Sequence, residues 1–233
     1  MIVKPARFLG QKSTFRSARR LRRPDLVASV LSAVTKARLD PTKTYVVAAG
    51  LTALGAVVWI AFGHNPLITT PALPLRSGAL LVVLSLGLGV ALAGISIGLT
   101  RSLAQRASWA RDLAGSLRPR LSGTSTLELL KTAVLVGVTE EIFFRGILQP
   151  LVGLWVSSLV FGLVHAGAGK SRFFYVVWAG CTGLAFGTIF WLTGSICGAI
   201  LAHVLINGAN ALYLRDMGAA TPRRRALGGL LSR

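Results

Sequence analysis

The sequence predicts an all-α protein: a polytopic transmembrane helical bundle of about six spans, with one or two amphipathic helices lying at the membrane interface. Three observations predict it. Apolar runs of near-spanning length recur along 233 residues, where a bilayer needs about 20 helical residues to be crossed. A hydrophobic content of 53% and a mean hydropathy of +0.64 are too high for a soluble domain, and the chain is too short for several domains. Lys and Arg collect in the tails and in the connections between apolar runs, which gives one integral membrane unit of formal net charge +19.

Taken in order, residues 1–43 read as a basic cytosolic tail. In it, Pro24 and Asp25 open a helix that puts Leu26, Val27, Val30, Leu31 and Val34 on one face. It has no signal-peptide apolar core followed by a small-residue cleavage site, so the tail is expected to stay attached. Residues 44–126 hold two transmembrane helices, at 44–62 and 78–100, and a basic cytosolic connection. His64, beside Asn65 and Pro66, belongs to a surface loop. Within the connection, 101–117 sets Leu103, Ala107, Ala110, Leu113 and Leu117 among arginines, as an interfacial helix on an anionic leaflet requires. Residues 127–214 carry four more spans, at 131–150, 151–166, 173–193 and 195–214, with Pro150 marking the break before the short fourth one. Residues 215–233 form a second basic tail.

The tails, the 101–131 connection, and Lys170 with Arg172 fall on one side of a six-span chain, while the opposite connections hold almost only Arg76. The positive-inside rule then makes both termini cytosolic, in a bacterial cytoplasmic membrane. Cations distributed this way answer to orientation and anionic lipid rather than to nucleic acid. Cys181 and Cys197 lie within spans as small packing residues and offer no disulfide framework. The small-residue pairs Gly94 with Gly98, Gly183 with Gly187, and Gly194 with Gly198 permit close helix packing.

Against this background Glu140 and Glu141 stand out, side by side in an apolar stretch, 133–153, otherwise interrupted only by Arg145 and Gln149. His165 and His203 also lie in apolar runs. Intramembrane ionisable groups are expensive on every scale and mark functional sites. Positions four apart on a helix share a face and adjacent ones differ by about 100°, so Glu141 pairs with Arg145. Glu140 is left without a local counter-ion, as suits a base taking a proton near neutral pH. Phe161 shares a face with His165, and His203 with Asn207. At 1.5 Å per residue, Glu140 lies about 14 Å beyond Lys131 and His203 about 12 Å beyond Ser195. In a hydrocarbon layer of about 30 Å both reach the middle, and a cytosol-facing cavity gathers them with His165. Each element also has a plainer role: an ion pair that is structural, a Phe161 that packs, histidines and Asn207 that hydrogen-bond between helices, and an Asn210 that packs. Their common depth and one-face spacing argue for a single site.

Glu140, Glu141 and Arg145, then Phe161 and His165, then His203 and Asn207, stand in the order and spacing of the CPBP family. That family comprises type II CAAX prenyl endopeptidases and bacterial bacteriocin-processing and lysostaphin-resistance-like relatives, and the chain resembles it over residues 127–214. Thr193, Gly194, Ser195 and Ile196, and the run Gly183 to Gly187, also look like the family's connection between its last two spans. The resemblance implies an intramembrane endopeptidase in which Glu140 and His165 activate a water molecule. His203 and Asn207 would stabilise the oxyanion, with Glu141, Arg145 and Phe161 in support. It implies no cofactor, zinc on Glu140, His165 and His203 being the alternative. Six spans where eukaryotic members have eight argue against prenylated CAAX substrates and for a protein tail, leader peptide or other membrane-proximal segment. A regulatory or immunity protein of the same fold, and an ion or proton transporter, are the competing readings.

Overall fold

The computed structural model describes residues 41–166 and 171–217. In chain order they form α1 (Pro41–Ala61), α2 (Gly78–Arg106), α3 (Ser108–Leu121), α4 (Thr126–Glu141), a π-helical segment (Ile142–Leu148), α5 (Gln149–Val164), α6 (Arg172–Thr193) and α7 (Cys197–Asp216). Among the described residues, strand pairing is limited to an isolated bridge between Ile68 and Ser195. The stretches Gly78–Arg106, Thr126–Val164, Arg172–Thr193 and Cys197–Asp216 are long and apolar enough to cross a membrane. Val83, Ile95, Leu151, Trp155 and Phe173 are between 61% and 73% exposed. So much outward apolar surface suits lipid, not water, and the chain is an integral membrane protein. The amphipathic segment expected in the N-terminal tail, the C-terminal tail and Lys170 lie outside the described residues.

The spans expected at 131–150 and 151–166 differ from that pattern in an informative way. The helix does not break at Pro150, the second residue of α5, which follows directly on the π-helical segment. The break is at Gly153, whose backbone takes φ 82° and ψ 168°, a region open only to a residue without Cβ. There the chain folds back on itself: the Ser157 hydroxyl donates to the Phe144 carbonyl at 3.3 Å, and the Phe144 and Phe161 rings meet edge to face at 4.9 Å. The returning arm, 154–164, extends only about 16 Å, roughly half the hydrocarbon thickness. It therefore ends His165 inside the layer. The apolar part of α1, Thr52–Ala61, is likewise shorter than a span.

Helix ends are closed by side chains and by the connection between α1 and α2. Ser125 and Glu128 form a capping box at the start of α4, satisfying two N–H groups that lack helical acceptors. At the start of α7, Ile196 offers no side-chain cap, and Ser85 of α2 supplies one from across the bundle: its hydroxyl accepts from Gly198 N at 3.0 Å and donates to Ser195 O at 3.0 Å. The amides of Ala72 and Leu73 donate to Trp191 and Leu192 O at 3.0 and 3.1 Å, and Thr69 N donates to Gly194 O at 2.9 Å. The connection thus answers the carbonyls that the end of α6 leaves unpaired.

Three smaller expectations change. The 101–117 stretch is not one helix: α2 runs on to Arg106, Ala107 is extended at φ −105° and ψ 130°, and α3 begins anew. Cys181 and Cys197 are exposed rather than packed. Of the glycine pairs, Gly94 and Gly98 touch nothing, whereas the closest helix approach is Gly89 against Gly198, where a Cβ on Gly89 would stand 2.3 Å from Gly198 O. His64 is exposed as expected and stacks on Trp59 at 4.3 Å. A Cβ on Gly198 would fall 2.0 Å from Ser85 O. Gly198→Ala is therefore expected to lower stability by about 1–3 kcal/mol or more through overpacking, while Gly94→Ala leaves it unchanged. Thermal unfolding of the two variants in detergent checks the contrast.

Candidate functional site

The site grows from the end of α4. Glu141 and Arg145 are both 0% exposed; Arg145 Nη1 donates to Glu141 Oε1 at 3.1 Å, and Nε stands 3.1 Å from Oε2 as an ion-pair contact without hydrogen-bond geometry. Arg145 Nη2 donates to the Gly183 carbonyl of α6 at 2.7 Å. One turn on, Gln149 Nε2 repeats the contact with Gly187 O at 3.0 Å. Both contacts need a helix surface without Cβ, since a Cβ on Gly183 would lie 3.2 Å from Arg145 Nη2 and one on Gly187 would lie 2.6 Å from Gln149 Oε1. Arg145 also lies over the Phe161 ring at 4.6 Å and the Phe186 ring at 5.4 Å, a favourable setting for a desolvated guanidinium.

Glu141 reaches a third helix. Its Oε1 is 2.7 Å from Nδ1 of His203 on α7. A carboxylate facing an arginine accepts, so His203 Nδ1 carries the hydrogen. His203 is 4% exposed and stacks on Phe186 at 5.1 Å. His165 is fixed in the same tautomer by a different partner. Its backbone N–H closes on Gly162 O, which frees the Phe161 carbonyl, and Nδ1 lies 2.7 Å from that oxygen. A carbonyl only accepts, so Nε2 of each imidazole is turned to the remaining carboxylate.

That carboxylate is Glu140, rotated away from Arg145 and partly open, with 27% of its side chain exposed. Its Oε2 stands 3.5 Å from His165 Nε2 and 3.9 Å from His203 Nε2. These separations exceed a direct hydrogen bond and suit one shared small polar molecule between the three groups. The structure thus brings Glu140, His165 and His203 to one point, with Glu141, Arg145 and Phe161 directly behind them. Asn207 is half-buried one turn after His203 and, among the described residues, forms no hydrogen bond. It shares the His203 face by helical spacing. Among the described residues no group of three or more His, Cys, Asp or Glu side chains is arranged to hold a metal ion.

Residue reading from sequence missed Gln149, Phe186 and the direct Glu141 to His203 contact. Only Gln149 left a signal: Arg145 and Gln149 repeat four apart, as do Gly183 and Gly187. Asn210, expected to pack, has a buried Oδ1 without a hydrogen-bond partner among the described residues. Arg145→Met strands Glu141 as a buried charge and is expected to cost about 3–5 kcal/mol, with Glu141→Gln in the same chain recovering part of the loss. Unfolding of the single and double variants in detergent measures that coupling.

Residues 122–209 match the family described as type II CAAX prenyl endopeptidase Rce1-like. A curated relative, the uncharacterized protein YpbD of Bacillus subtilis (strain 168), is 27% identical over 128 residues, covering 52% of this chain and 67% of its own length. No solved structure matches. The matched stretch contains every one of the seven motif residues, and over it the chain is similar to the Rce1-like type II CAAX prenyl endopeptidases.

Proposed function

We propose that the protein is an intramembrane endopeptidase that hydrolyses a peptide bond in a membrane-proximal or C-terminal segment of a protein substrate, using water activated by Glu140 and His165. The observation that carries this reading is the convergence of His165 Nε2 and His203 Nε2 on Glu140 Oε2 at 3.5 and 3.9 Å, an oxygen that is buried and has no hydrogen-bond partner among the described residues, on a side chain that is itself partly exposed. A water held by Glu140 and His165 attacks the scissile carbonyl carbon; its oxygen forms the new C–O bond and its proton passes to Glu140. The carbonyl oxygen becomes an oxyanion that accepts from the Asn207 amide and from His203. When the C–N bond breaks, Glu140 returns the proton to the leaving amine.

His203 donates in this scheme only when its Nε2 also carries hydrogen, with Glu141 as the counter-charge on Nδ1. Glu141 and Arg145 act through His203 and the helix backbone rather than on substrate. The concentration of Lys and Arg in the tails and connections supports cytosolic termini and access to the site from the cytosol, by the positive-inside rule.

Glu140→Ala is expected to abolish cleavage in an inserted, folded protein, and the membrane proteome of that variant should lack the new termini present in wild type. Termini identical in the two would reject the hydrolase, and a phenotype surviving both Glu140→Ala and His203→Ala would favour a non-catalytic regulator. Asn207→Ala is expected to lower kcat by about 10²–10³ with KM little changed, the loss typical of one oxyanion donor. Metal content of the purified protein, with activity before and after chelation, tests the water mechanism: stoichiometric zinc whose removal and return switch cleavage off and on overturns it.

A further inference from the structure

We propose that α3 is a docking surface for anionic phospholipid headgroups, and that its grip on the start of α6 ties leaflet charge to the helix that contacts His165. α3 is about 21 Å long and joins two segments that are long enough to span. Its inward face, Trp109, Ala110, Leu113, Ala114 and Leu117, is buried or half-buried, while Arg111, Arg118 and Arg120, with Arg106 just before the helix, are exposed. Asp112 is the acidic residue within α3, and among the described residues none of these arginines is ion-paired.

Helix polarity does not account for the pattern. Arg118 and Arg120 in the last turn complement the helix dipole, but Arg111 stands at the end where a cation is disfavoured, and the first turn has no acidic residue. Exposed guanidinium groups without an ion-pair partner, Arg111 donating only to the Gln105 carbonyl at 3.1 Å, fit phosphate-bearing, negatively charged headgroups, each contact worth about 1 kcal/mol near an anionic surface. Guanidinium groups also bind phosphate oxygens in a two-pronged way.

The inward face links this surface to the site. The Ser171 hydroxyl donates to Trp109 O at 3.0 Å, and Trp109 stacks on Phe174 at 4.9 Å with planes 14° apart. The next residue, Tyr175, meets the His165 ring edge to face at 6.2 Å. A helix pinned to the leaflet thus steadies the first turn of α6, whose Tyr175 meets His165.

The test uses the full chain in nanodiscs of equimolar phosphatidylglycerol and phosphatidylcholine, released into native mass spectrometry. Wild type is expected to retain phosphatidylglycerol preferentially. Arg111→Gln with Arg118→Gln and Arg120→Gln should cut that preference about tenfold or more, whereas the three Arg→Lys changes keep most of it. All three positions are exposed, so the variants fold. Equal retention of both lipids by wild type, or an undiminished preference in the Gln variant, overturns the surface. Protection of the same arginines by added RNA without any lipid preference would reassign it to nucleic acid. Amide exchange at 172–175 should slow in phosphatidylglycerol discs for wild type alone; equal exchange in phosphatidylcholine discs rejects the link to the site. Neither readout requires cleavage, so failure here is separable from failure of the hydrolase reading.

Discussion

The buried ion pair of Glu141 and Arg145 is the constraint around which the rest of the structure is arranged. Two charges with no exposure carry a desolvation cost of several kcal/mol each, and their mutual attraction offsets it only with good geometry and every remaining polar position answered. Most of those answers come from the surrounding core, Gly183 O from α6, His203 from α7, and the faces of Phe144, Phe161 and Phe186, while Glu141 Oε2 and Arg145 Nε have only each other at ion-pair distance. Helices that would otherwise pack through interchangeable apolar surface are thereby held in one register. A pair of this kind adds little net stability against an apolar replacement, and its contribution is to specify which faces meet.

The second constraint is length. A full span would carry the residue after Phe161 to the far interface, and His165 would never meet Glu140. The reversal at Gly153 halves the arm, so that the C-terminal turn of α5, with its unpaired Phe161 carbonyl and the imidazole that caps it, sits in the middle of the layer. The π-helical segment preceding the reversal belongs to the same solution. Pro150 has no N–H and its ring crowds the carbonyl four residues back, Gly146. The wider π turn relieves that crowding, and the glycine surface it leaves is filled by Pro66 O, 2.3 Å from where a Cβ would be. A local widening next to a site residue is a recurrent use of π turns.

Much of this was legible in the sequence because it rests on composition and helical spacing. The hydropathy gave the helix bundle, the four-residue spacing gave the Glu141 to Arg145 pair, and the depth count put Glu140 and His203 at one level, where they stand 3.9 Å apart. What spacing does not encode is contact between helices. Pro150 was the stronger punctuation mark and Gly153 the real break, because whether a glycine uses its left-hand freedom depends on what the returning arm packs against. Likewise Gly94 with Gly98 matches a packing motif as well as Gly183 with Gly187 does, yet only the second pair lies where another helix approaches. The bond from Ser85 to Gly198, 113 positions apart, has no local signature.

Adjacency of the two glutamates now has a physical meaning. A rotation of about 100° between neighbours lets one turn of helix present two identical carboxylates to opposite environments. Glu141 is wholly enclosed, shared between a guanidinium and an imidazole, and has no freedom to bind or release anything without uncovering a buried charge. Glu140 is 27% exposed and faces only two Nε2 atoms, so a proton arriving there disturbs no structural contact. In the proposed reaction this separates the group that must change charge from the group that must not. Exchanging the roles would require the fold to survive protonation of its own central ion pair, and that makes Glu140, rather than its more strongly bonded neighbour, the residue on which chemistry can turn.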